Sequence, residues 1–206
     1  MILNDDGVAH IPSFIPSEVL DGIEREYDNI FERIPEFHDA DLNAGGLLVH
    51  PEGDYKVGKH LRVFPPAYEV IPSTVSIFNT QEFRSLVDSY LGIPNQFCMQ
   101  IFMSNEHSVI TDDILYRNQH LHFDPYASLK FFLYLSDVDE DTGATYYVPG
   151  SRETGKHYRE TKLDLNDLTG LNGGTKHRLE DYPEPLPYTK KDAVPVIAKR
   201  GDLLIL

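Results

Sequence analysis

The chain has 206 residues, and 18 Lys and Arg against 33 Asp and Glu give it a formal net charge of −15 at pH 7. Its composition, 41% hydrophobic and 25% charged, is that of a globular chain, and the length predicts one domain. The acidic balance argues against nucleic acid or an anionic membrane as a partner, and the single cysteine, Cys98, excludes a disulfide framework or a Cys-rich zinc site. No apolar run approaches the ~20 residues of a membrane span, so we expect a cytoplasmic protein.

A short predicted strand, Gly7–Ile11, opens the chain and leads into the first of two predicted helices. This helix runs from about Ser17 to Ile34, because its apolar residues recur at helical spacing and Pro35 closes the segment. The second helix begins after Thr80 as its N-cap and ends at Gly92, a residue that suits the left-handed conformation at a helix terminus.

Most of the remaining chain predicts short β-strands, because runs of β-branched, aromatic and aliphatic residues alternate with Gly, Pro, Asn and Asp. These predicted strands are Phe97–Met103, Leu129–Leu135, Thr145–Val148, Val194–Ala198 and Leu203–Leu206. The helices precede most strands without alternating with them, which favours an antiparallel barrel or sandwich with helices packed outside.

One histidine-rich stretch, residues 118–125, could bind a metal. On an extended strand His122 and Asp124 point to the same face, about 6.6 Å apart at the backbone. An imidazole nitrogen with a carboxylate oxygen suits Fe(II), Mn or Zn, and supplies two of the three ligands in a 2-His-1-carboxylate site. His120 would lie roughly 13 Å from Asp124, so we interpret it as a supporting or substrate-facing residue. An H-x-D triplet alone also occurs by chance.

Further segments follow this pair in a fixed order. Within His122–Ser151 an aromatic strand ends in Leu-Ser-Asp-Val, and an acidic turn, a strand and Pro-Gly-Ser come after it. The opening residues Asp6-Gly7-Val8 and Ile15-Pro16-Ser17-Glu18 and the final Arg200-Gly201-Asp202-Leu203 belong to the same pattern. Together these segments resemble the phytanoyl-CoA dioxygenase family of Fe(II)/2-oxoglutarate oxygenases over nearly the whole chain.

The resemblance implies a mainly β fold with flanking helices, a double-stranded β-helix (jelly roll, cupin-like). It also implies a dioxygenase that uses Fe(II), 2-oxoglutarate and O2 to hydroxylate an aliphatic C–H of a small-molecule substrate. His122 and Asp124 match the first two iron ligands, and the Asp favours hydroxylation over halogenation.

Three residues are candidates for binding 2-oxoglutarate, and each has an alternative interpretation. By the resemblance, Gln100 matches a polar residue that contacts the co-substrate, although it could equally be a hydrogen-bonded amide in the barrel wall. Lys130 and Tyr134 share one face of the next strand, where one of them could line the barrel. Lys130 either extends its ammonium group to solvent or faces an anionic ligand.

The resemblance places a distal histidine and a 2-oxoglutarate-binding arginine after the Gly-Asp-Leu strand, and the sequence ends at Leu206. We therefore expect the third ligand, a distal His, beyond Leu206, and a single domain over 1–206 that is incomplete at its C-terminus. His177 precedes that strand and is the weaker candidate for the third ligand. Two alternatives stay open: a catalytically silent jelly-roll protein that binds a ligand or partner, and a cupin-like metalloenzyme that does not use 2-oxoglutarate.

Overall fold

The structure is a computed structural model that describes residues 7–32, 49–52, 58–63, 69, 71–92, 101–106, 121–162, 179, 182 and 187–206. Its strands are β1 (Ala9–Ile11), β2 (Val49–Glu52), β3 (Gly58–Val63), β4 (Ile101–Glu106), β5 (Phe131–Leu133), β6 (Tyr146–Tyr147), β7 (Val194–Pro195) and β8 (Leu203–Ile205). Its helices are α1 (Ser17–Glu32), α2 (Pro72–Phe78), α3 (Gln81–Leu91), α4 (Arg152–Thr161) and a short 3-10 helix, Lys190–Asp192.

The described strands form three antiparallel sheets. In the first, β8 lies between β1 and β5, so that Ile205 pairs with Ala9 on one side and with Phe131 on the other. The second sheet has the order β2-β3-β4, and the third pairs β6 with β7. Val138, which lies after β5, and Ala198, which lies after β7, form an isolated antiparallel bridge. The predicted combination of antiparallel sheets and flanking helices is therefore present in the described residues.

Strand β8 is the centre of the core, and its three side chains are 0% exposed. Alternate side chains of a strand point to opposite faces. On one face Leu203 and Ile205 pack with Phe83 of α3, and on the other Leu204 packs with Val196. Helices thus cover one face of the first sheet, and the segment containing β7 covers the other.

The residues before β8 connect it to α1 and to the turn after β5. The Arg200 side chain donates through Nε to Glu24 and through Nη2 to Asp21, each at 2.7 Å. The Arg200 main-chain N–H donates to Asp137 Oδ1 at 2.9 Å. The carboxylates of Glu24 and Asp21 raise the pKa of the Arg200 guanidinium. The Arg-Gly-Asp-Leu segment therefore has a structural role in addition to its value as a sequence signature.

Both predicted helices are present. Helix α1 begins at Ser17 as predicted and buries Leu20, Ile23 and Ile30; its described part ends at Glu32. At the start of α3 the Thr80 hydroxyl accepts a hydrogen bond from the Phe83 N–H, as expected of an N-cap. Gly92 closes that helix with φ of +69°, in the left-handed region.

Several elements were not predicted from the sequence, and some predicted strands differ in extent. Helices α2 and α4 and strands β2 and β3 are new, and the predicted strand Val194–Ala198 pairs continuously only over β7. Among the described residues, no helix has both the length and the apolar character needed to cross a membrane.

Candidate metal centre at His122 and Asp124

The segment that carries His122 and Asp124 is fixed by the residue between them. Phe123 is 7% exposed, and its ring packs against Tyr158 of α4 and against Tyr182, with ring centroids 5.5 and 6.1 Å away. Two residues before Phe123, the Leu121 carbonyl accepts a hydrogen bond from the Leu179 N–H at 2.9 Å. In an extended segment, burial of Phe123 turns both of its neighbours to the opposite side, where His122 is exposed and Asp124 is half-buried.

The two carboxylate oxygens of Asp124 have different partners. The Ser128 hydroxyl donates to Oδ2 at 2.6 Å, and the Lys130 ammonium group donates to Oδ1 at 2.7 Å. The Asp124 side chain is 30% exposed and the Lys130 side chain 44%. The carboxylate is thus held on both sides and is still open to solvent.

Asp124 is maintained as an anion by this environment. Burial alone would raise the pKa of its carboxyl group. The charge of Lys130, the hydrogen bonds from Lys130 and Ser128, and nearby His122 outweigh burial and hold the pKa below its usual value. The carboxylate is therefore ionised at neutral pH, as a metal ligand must be.

The donor set fits part of a metal site. His122 offers an imidazole nitrogen and Asp124 an ionised oxygen, a combination that binds divalent transition metals. The Lys130 ammonium group forms an ion pair with Asp124 Oδ1, so this oxygen is already in contact with one cation. Within the part of the chain that the structure describes, no group of three or more His, Cys, Asp or Glu side chains could hold a metal. The described residues thus account for two ligands.

The predicted co-substrate residues are placed differently. Lys130 reaches Asp124, whereas Tyr134 lies four residues further along, about 13 Å in extended backbone. The Tyr134 hydroxyl is buried beside Thr145 and makes no well-formed hydrogen bond to any described residue. Burial, helped by the charge of Asp202, raises the pKa of this hydroxyl. Gln100, His120 and His177 lie outside the described residues.

Two groups that contact Asp124 were missed in the sequence. Ser128 binds its carboxylate, and the Arg159 guanidinium of α4 donates to its carbonyl oxygen at 3.5 Å. The signal for Ser128 was its position four residues after Asp124, just past Pro125, where a bend can return a hydroxyl to the carboxylate. No local signal points to Arg159, because its contact depends on how α4 packs.

A model of the family described as phytanoyl-CoA dioxygenase (PhyH) matches residues 3–206. The chain belongs to this family. The match confirms the resemblance drawn from His122–Ser151 and the terminal segments. Comparisons with curated proteins and with solved structures each gave no match.

Membership in the phytanoyl-CoA dioxygenase family has consequences for the fold and for the chemistry. The family implies a cupin-like jelly-roll fold, and the described residues contribute antiparallel sheets and flanking helices to it. It suggests an oxygenase that acts on a small molecule with O2, and its members generally use Fe(II) and 2-oxoglutarate.

Proposed function

We propose that the protein is an Fe(II)- and 2-oxoglutarate-dependent dioxygenase that hydroxylates an aliphatic C–H of a small-molecule substrate, on a double-stranded β-helix. The observation that carries the proposal is the pair His122 and Asp124. The chain belongs to this family, and the two residues stand on either side of the buried Phe123 in sequence. Lys130 and Ser128 keep the Asp124 carboxylate ionised.

His122 and Asp124 would hold the iron, and the family resemblance implies a distal histidine as the third ligand. When bound, the iron supplies activation of O2, with 2-oxoglutarate as the source of electrons. The contribution of the protein chain is to position the ligands. Phe123, clamped by Tyr158 and Tyr182, keeps the two ligands on one side of their segment.

The proposed co-substrate residues differ in the support they have. Lys130 carries a positive charge next to Asp124 on a flexible stem, so it can pair with a carboxylate of 2-oxoglutarate. Tyr134 offers a buried hydroxyl deeper along the same segment, and this group could donate a hydrogen bond to a bound molecule. Gln100 stays a prediction from the resemblance.

The test is spectroscopic. Adding Fe(II) and 2-oxoglutarate anaerobically to the full-length protein should produce a weak visible charge-transfer band. His122→Ala and Asp124→Ala should abolish the band, because each removes one ligand atom. His157→Ala is the matched control, since His157 is an exposed histidine on α4, and this variant should keep the band.

The outcome also separates the alternatives. A full-length protein that binds Fe(II) but gives no band with 2-oxoglutarate would be a cupin-like metalloenzyme of another kind. A full-length protein that binds no metal would contradict the oxygenase and favour a silent binding protein.

A further inference from the structure

The two hydrogen bonds that the Asp124 carboxylate accepts are chemically unequal. Ser128 is a neutral donor on a short side chain, and its hydroxyl lies 2.6 Å from Oδ2. Lys130 is a cation on a long side chain that is 44% exposed, and its ammonium group lies 2.7 Å from Oδ1. One donor can stay in place when a metal arrives, whereas the other carries the same sign of charge as the metal.

Electrostatics decides what each donor can do. A metal ion and an ammonium group on the same carboxylate oxygen repel each other, so Lys130 must leave Oδ1 before a metal can bind there. The cost of leaving is small, because a partly exposed ion pair contributes little and the stem of Lys130 is flexible. The Ser128 hydroxyl is neutral, so the metal does not repel it. Its hydrogen bond restricts rotation of the carboxylate.

We propose that Ser128 is a positioning residue that orients Asp124 through Oδ2, and that Lys130 is a resident counter-ion on Oδ1 which the metal displaces. The inference rests on the proposed function, because it takes Asp124 as a metal ligand. It assigns opposite effects to two neighbouring side chains: loss of the Ser128 hydroxyl weakens metal binding, and loss of the Lys130 charge strengthens it.

The experiment measures the affinity of the full-length protein for Mn(II), from the loss of the electron paramagnetic resonance signal of free Mn(II). Ser128→Ala should weaken binding about tenfold, as removal of a partner of a ligand does. Ser128→Thr keeps the hydroxyl and should restore the affinity. Lys130→Met should tighten binding roughly fivefold, the amount expected from an exposed ion pair.

Matched controls exist elsewhere in the chain. Ser76→Ala removes an exposed hydroxyl whose hydrogen bond goes to the Ser73 carbonyl, and Lys199→Met removes a similar ion pair, 2.8 Å from Asp137. Both controls should leave Mn(II) affinity unchanged. The visible spectrum of bound Co(II) adds a second readout, because it should shift in Ser128→Ala and return in Ser128→Thr.

Each outcome has one interpretation. If wild type binds Mn(II) and Ser128→Ala binds it equally well, the positioning role is wrong. If Lys130→Met binds Mn(II) more weakly than wild type, Lys130 is not a competing counter-ion. If wild type binds no Mn(II) at all, the proposed function itself fails, a result distinct from either of the others.

Discussion

At the scale of single residues, Gly201 shows how closely α1 approaches the segment before β8. Gly201 has φ of +92°, and a Cβ built on it would lie 3.0 Å from the Ile15 carbonyl oxygen and from Leu20 Cδ1. Its carbonyl accepts from the Ile15 N–H at 3.1 Å, and its N–H donates to the Tyr134 carbonyl at 2.8 Å. The position therefore requires glycine both for its backbone angle and for lack of space.

Substitution of Gly201 should be costly. Gly201→Ala should lower the free energy of unfolding by about 2–4 kcal/mol, because an unfavourable φ adds to a clash with backbone and a buried leucine. Gly92→Ala is the control, since Gly92 has φ of +69° with nothing within 4 Å of the added Cβ, and it should lose only about 1 kcal/mol. Urea unfolding measures both values, and equal losses would show that space at Gly201 is not limiting.

The candidate site was predictable at this scale only where a local rule applies. The spacing of His122 and Asp124 is a property of extended backbone, and the burial pattern is consistent with it, since an exposed His122 and a half-buried Asp124 flank the buried Phe123. The contact of Lys130 with Asp124 was not predictable, because it depends on the bend that follows Asp124. The roles of Gln100, Lys130 and Tyr134 in binding 2-oxoglutarate stay predictions.

At the scale of secondary-structure elements, the N-terminus of α2 is capped by a residue of another helix. Ile71, its N-cap, provides no side-chain hydrogen bond. Instead the Glu26 carboxylate of α1 accepts from the Ser73 N–H at 2.6 Å and from the Thr74 N–H and hydroxyl at 3.0 and 2.9 Å. The negative charge also suits the positive end of the helix dipole.

Removal of this carboxylate should destabilise the protein. Glu26→Ala should lower the free energy of unfolding by about 1–2 kcal/mol, the range for loss of an N-cap, because two N–H groups lose their acceptor. Asp28→Ala, at an exposed position on the same helix, should change it by less than about 0.5 kcal/mol. Urea unfolding of both variants provides the comparison, and similar losses would contradict a capping role for Glu26.

The helices divide into those that local sequence specifies and those that tertiary contacts specify. Helices α1 and α3 carry apolar residues at helical spacing, and α3 has both caps within its own sequence. Helix α2 has seven residues and takes its cap from Glu26, 47 positions away from Ser73. Helix α4 has Tyr158 as its one buried residue, so no apolar periodicity predicts it.

At the scale of the whole molecule, the first and last described strands close the fold together. Strand β8 joins β1 to β5, and the residue that precedes it, Asp202, is 3% exposed. Its carboxylate accepts from the Ser13 N–H at 2.8 Å and from the Lys199 N–H at 2.9 Å, and it lies 2.9 Å from His10 Nε2. One buried carboxylate thus connects segments almost 200 residues apart in sequence.

Because of this connection, the free energy of unfolding should depend on pH, and the direction follows from the pKa of Asp202. Burial raises the pKa of the Asp202 carboxyl, but the hydrogen bonds from Lys199, Ser13 and His10 outweigh it, so the pKa in the folded protein is below its usual value. The folded state then binds fewer protons than the unfolded state near pH 4. The stabilisation is therefore present above the unfolded pKa of about 3.9 and is lost as pH falls through the lower, folded value.

The variant Asp202→Asn distinguishes the contribution of this carboxylate to the pH dependence from the contributions of the other acidic groups. At pH 7 the variant should unfold about 2–3 kcal/mol more easily than wild type, because an uncharged amide cannot replace a carboxylate that accepts from both sides. The difference should shrink as the pH falls from 5 through the unfolded pKa of about 3.9, since below that pH the wild-type carboxyl group takes up a proton on unfolding and the variant has no such group. Urea unfolding across this range measures the difference, with Asp28→Asn as an exposed control. A difference that stays constant would mean that the charge of Asp202 does not hold the two ends of the fold together.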